Sequence, residues 1–135
     1  MSAVYVVVAA FENSVREFVE ATLLEEAGAN WWDDCVPSSI RKGAEKRRYE
    51  EQKVRWHTQR GESLIHFTML PNLFAIIRNN FDKFEASVHD IDWATSIFET
   101  IDRSRNVIMH SGTLERKDIA RLGSSVRDWT QQVST

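Results

Sequence analysis

Arg105, Asn106 and His110 fall within the six residues Arg105-Asn106-Val107-Ile108-Met109-His110. A histidine can move protons near neutral pH, and a guanidinium can hold a carboxylate or a phosphate through a planar fork of donors. Asn106 and His110 are four positions apart, the spacing of side-chain neighbours on one face of a helix. On a wheel with Trp93 at zero and about 100° per residue, Trp93, Ile97, Ile101 and Ile108 fall within about 80° of one another. Phe98 and Met109 extend that apolar face. Arg105 lands inside it at about 120°, while Asn106 and His110 lie on the other side at about 220° and 260°. A purely structural amphipathic helix has no use for an always-charged group within its apolar stripe. An arginine there needs a carboxylate, a phosphate or a polar seam between two protein surfaces, and Asp102, three residues earlier, is one internal candidate. The plain alternative is that Arg105 snorkels over Phe98 and Met109 to water and that His110 is an ordinary histidine at a helix end.

These residues need helices to position them, and scarce Gly and Pro (five and two) favour helices with brief connections. A first helix is predicted over Ala3–Ala27, ended by Gly28. Ala3 to Phe11 is a continuous apolar run, about half the ~20 residues a membrane helix requires, with no basic start of a secretory signal. It reads as the deeply buried beginning of that helix, with a buried strand as the alternative because Val4 and Val6 to Val8 are β-branched. Ala29 to Pro37 is a connector, whose Trp31 and Trp32 plug the end of a core. Pro37-Ser38-Ser39 starts a charged helix reaching to about Gln59. Pro71 opens a third helix carrying Leu73, Phe74, Ile76, Ile77, Phe81 and Phe84. Asp90-Ile91-Asp92 caps a fourth, from about Trp93 to Ser111 and closed by Gly112. Thr113 opens the last, with Ile119, Leu122, Val126, Trp129 and Val133 as its apolar stripe. The expected architecture is all-α, a compact bundle of about five helices in one domain, 1–135, complete or excised from a larger system.

Net charge is −3, which argues against gripping nucleic acid by bulk charge, but the charge is unevenly spread. Residues 41–60 hold eight basic side chains (Arg41, Lys42, Lys46, Arg47, Arg48, Lys53, Arg55, Arg60) against three acidic ones. That segment is either a solvated helix face or a phosphate-tracking surface, in which Arg47, Arg48 and Arg55 are the candidate RNA contacts. Cys35 is the single cysteine, so no intrachain disulfide can form, and a reducing, cytoplasmic setting is expected. His57, in the basic helix, is a further but weaker candidate, and Arg78-Asn79 repeats the first two letters of the motif but has Lys83 where a histidine would stand.

Arg105-Asn106-x-x-x-His110 on a penultimate helix resembles the signature of the HEPN superfamily. The segment Phe11 to Leu24, the Trp31-Trp32 connector with the charged helix after it, and Leu73 to Phe81 are similar to the Swt-type branch. This resemblance implies a metal-independent endoribonuclease with no cofactor, whose motif helices pair across the two-fold axis of a homodimer. By the same resemblance His110 would be general base or acid, Arg105 would hold the phosphate, and Asn106 would orient the imidazole or donate to the phosphate. The products would be a 2′,3′-cyclic phosphate and a 5′-hydroxyl. The expected setting is a toxin–antitoxin or anti-phage system, with RNA as substrate and an antitoxin or sensor protein as partner. The alternative is a non-catalytic HEPN module that binds RNA or nucleotide or dimerises.

Overall fold

The computed structural model describes residues 2–53 and 63–134. Among these residues the chain is all-α, without strands. Its helices are α1 (Ser2–Ala27), α2 (Trp31–Cys35), α3 (Ser38–Gln52), a 3-10 helix (Leu64–Phe67), α4 (Leu70–Asn79), α5 (Phe81–Val88), α6 (Ile91–Ser111) and α7 (Arg116–Ser134). They fall into two compact units, residues 1–14 with 84–135, and residues 15–83. None of the described helices is long and apolar enough to cross a membrane.

The unit of residues 15–83 is built on the second half of α1, where Val15, Val19 and Leu23 recur at helical spacing and are buried. Gly28 ends α1 in the left-handed conformation (φ 85°), as its position predicts. The connector that follows is itself partly helical: α2 buries Trp31, whose ring meets Trp32 edge-on at 5.7 Å. Long-range polar ties hold the loops. Asn80 Nδ2 donates to the Cys35 carbonyl at 2.9 Å, and Arg16 donates to the Thr68 carbonyl at 2.6 Å. The third predicted helix breaks at Asn80 into α4 and α5, because that amide also bonds the Ile76 carbonyl and is held against the α2 end.

The other unit is built on the first half of α1, the end of α5, and α6 and α7. The start of α1 is helical rather than a strand, but it is not buried all round. Val4, Val8 and Phe11 face the core while Tyr5, Val6 and Val7 are exposed. Trp129 of α7 anchors the core: its ring stacks on Trp93 at 5.9 Å and meets Phe98 edge-on at 5.1 Å and Phe11 at 6.3 Å. Such aromatic contacts add about 0.5–1.5 kcal/mol each beyond the area they bury. α7 begins at Arg116 rather than Thr113, and of its predicted stripe Leu122 and Trp129 are buried while Ile119 is exposed.

Candidate active site

α6 starts where its sequence says it should. Asp90 has an extended backbone, and its Oδ1 accepts from the amides of Asp92 (2.8 Å) and Trp93 (3.4 Å), satisfying two otherwise orphan donors. His89, just before, takes φ 68°, a left-handed conformation that histidine adopts more readily than most residues and that turns the chain from α5 into α6. Ala94, Ile97, Phe98, Ile101 and Ser104 then form the buried face of α6.

That face stops at Ser104, one residue before the motif. Ile108 is half-buried rather than buried. Val107 and Met109 are 39% and 64% exposed, so the apolar stripe expected to run to Met109 instead emerges into the open. The reason is tertiary: the core contacts of α7 fall on the earlier turns of α6, where Trp129 meets Trp93 and Phe98, while the start of α7 at Arg116 leaves an open groove beside Val107. Gly112 closes α6 in the left-handed conformation (φ 78°), with its N–H on the Ile108 carbonyl at 2.8 Å. His110 is thus held in a regular last turn rather than a frayed end.

On these last two turns Arg105 is half-buried, and Asn106 and His110 are exposed. None of the three side chains makes a hydrogen bond or ion pair among the described residues, and Asp102 is not the partner of Arg105. Asn106 and His110 share one face, one turn apart. Arg105 is turned from His110 by about 140° around the axis, so a single chain does not bring all three to one point. Arg103, outside the motif, stands in the row of Asn106 and His110 at positions i, i+3 and i+7, and it too is exposed without a partner among the described residues. That spacing is its only signal in the sequence.

The basic segment lies in the other unit and is described only in part. Arg47 is half-buried and donates to the Phe67 carbonyl at 3.2 Å, tying α3 to the 3-10 helix. Arg48 is half-buried, whereas Arg55 and His57 lie outside the described residues. Arg41 bonds the Val36 carbonyl at 3.0 Å and stands 3.8 Å from Asp33. Arg78 of the repeated Arg-Asn pair lies over the Phe74 ring at 4.9 Å. His66, for which the sequence offers no partner, has Nδ1 3.3 Å from the Ser63 carbonyl.

The family model described as Swt1-like HEPN matches residues 7–134, nearly the whole chain. No curated protein and no solved structure matches it.

Proposed function

The chain belongs to the Swt1-like HEPN family, and on that premise we propose that it is a metal-independent endoribonuclease whose active site is completed by a second copy. The observation that carries this reading is the state of the motif. Arg105, Asn106 and His110 are all present, on two turns of α6 that project past the core face, and none is consumed by a partner among the described residues. A charged group that serves only the fold is normally paired once it is drawn out of water, and half-buried Arg105 has no partner among the described residues. Groups held on a rigid element and left free are available to a ligand.

In the proposed reaction one His110 takes the proton of an RNA 2′-hydroxyl as its oxygen bonds to the adjacent phosphorus. The bond from phosphorus to the 5′-oxygen breaks, and that oxygen takes a proton from water, whose hydroxide takes the proton back from His110. The products are a 2′,3′-cyclic phosphate and a 5′-hydroxyl. Arg105 neutralises the charge that grows on the phosphoryl oxygens, and Asn106 orients the imidazole or donates to the phosphate. An isologous pairing of the α6 ends is the simplest closed assembly that brings two such sets together, and exposed Val107 and Met109 supply it with apolar contact. In the cell such a domain serves as effector of a toxin–antitoxin or anti-phage system, restrained by an antitoxin or sensor protein.

The test is RNA cleavage by wild type, Arg105→Ala and His110→Ala, with the ends identified chemically. Each substitution is expected to lower kcat by about 10²–10⁴-fold. Unchanged cleavage in both variants, with folding intact, refutes the enzyme. A second reading, a HEPN module that binds RNA or nucleotide or dimerises without cutting, draws on the same exposed Val107 and Met109. It predicts that wild type leaves RNA intact while Met109→Asp abolishes the dimer.

A further inference from the structure

Beside the motif, within the same unit, α6 and α7 enclose a small open groove. Thr100, Arg103, Ser104 and Val107 line it from α6, and Asp118 and Arg121 from α7. Two guanidinia therefore flank one depression in a chain whose net charge is −3. Among the described residues Arg103 has no partner and Arg121 has only Asp118 at 3.9 Å, a long contact between an exposed guanidinium and a half-buried carboxylate, of the kind worth little. With Asp118 the only carboxylate among these lining groups, the groove keeps a net positive charge. Val107, 39% exposed, adds an apolar wall.

The placement relative to His110 gives the groove a direction. Arg103, Asn106 and His110 form one row along α6, and seven residues of helix separate Arg103 from His110 by about 10 Å. A strand whose scissile phosphate lies at His110 reaches Arg103 within about one to three nucleotides. The planar fork of arginine matches a phosphodiester's two free oxygens, and two such forks can grip it from both walls.

We propose that this groove is a phosphodiester subsite for the RNA strand, with Arg103 as its principal binding and positioning residue and Arg121 as the second. The subsite rests on the endoribonuclease reading and extends it: the phosphate held here is not the one cleaved, so it sets the register of the strand against His110 rather than the chemistry.

The test compares wild type, the double variant Arg103→Gln/Arg121→Gln, and His110→Ala. Binding is measured with an RNA oligonucleotide carrying 2′-O-methyl on every ribose, across a salt titration, and cleavage with the unmodified oligonucleotide. The double variant is expected to bind about tenfold more weakly and to raise KM by about as much, as for loss of a charged hydrogen bond or two, with kcat little changed. Its salt slope is expected to fall by about 0.7 for each phosphate that the protein no longer neutralises. His110→Ala is expected to keep the wild-type affinity and slope while losing cleavage. Arg103→Lys keeps the charge without the fork, so it should retain the slope but only part of the affinity. If the double variant keeps the wild-type affinity and slope while His110→Ala is dead, the subsite is wrong and the endoribonuclease stands; arginines facing an acidic protein segment instead of RNA would give that result. If His110→Ala cleaves like wild type, the endoribonuclease reading itself fails and the subsite fails with it.

Discussion

At Arg105 a permanently charged group lies half-buried on α6 with no ion pair among the described residues, so its replacement breaks none of the ion pairs described there. Arg105→Leu is therefore expected to leave stability within about 0.5 kcal/mol, or to raise it slightly, while abolishing cleavage. Denaturant unfolding and an RNA cleavage assay on one protein sample check both halves; a large loss of stability would mean that the guanidinium is structural. Arg105→Lys separates charge from shape: a point charge cannot reproduce the bidentate fork, so cleavage should fall by about 10–100-fold without disappearing. Exposed Asn106 and His110 should also be removable without a change in Tm. The letters of this site were legible as a string, and so was the helix that bears them. The freedom of the side chains was not, because it depends on where the core face of α6 stops, and that is decided by α7. Arg103 was missed for the same reason. Only its row with His110 and the groove wall supplied by Arg121 separate it from other surface arginines.

Helices α6 and α7 show which parts of a helix are local chemistry and which are context. The Asp90 cap and the Gly112 stop follow from the residues alone and were legible. The helix within the Trp31-Trp32 connector and the break at Asn80 were not, since the latter rests on a bond to Cys35, 45 residues away. At Gly112 nothing lies within 4 Å of where a Cβ would be, so the cost of a side chain there is backbone conformation rather than a clash. Gly112→Ala is expected to destabilise by about 1–2 kcal/mol, the left-handed penalty for an L-residue, and Gly112→Asn by less. Because His110 sits two residues before, fraying of the last turn should lower kcat in Gly112→Ala beyond what the stability loss alone explains. Thermal unfolding and kcat measured well below Tm separate the two; an unchanged kcat would show that His110 is positioned without this cap. Asp90→Ala, at the far end of α6, should cost about 1 kcal/mol and leave kcat unchanged.

For the whole molecule the decisive geometry is that Arg105 and His110 point about 140° apart on one helix. If a working site takes its arginine from one copy and its histidine from the other, two inactive chains can repair each other. In a dimer of Arg105→Ala with His110→Ala, the intact His110 of the first meets the intact Arg105 of the second, and one complete pair is restored. Random exchange gives roughly half mixed dimers in an isologous assembly, so a mixture of the two variants should recover a readily measured fraction of wild-type cleavage. Either variant alone should recover none. The recovery should also fall on dilution, because a site shared between copies exists only while they are associated. Tagging the two variants differently and isolating the mixed dimer makes the test independent of exchange rate. A mixed dimer as inactive as its parents would mean that each copy builds its own site, or that both arginines and both histidines are required at once. A monomer by light scattering with full activity would remove the second copy from the mechanism, leaving the Arg103, Asn106 and His110 row as the set that α6 of one chain presents on a single face.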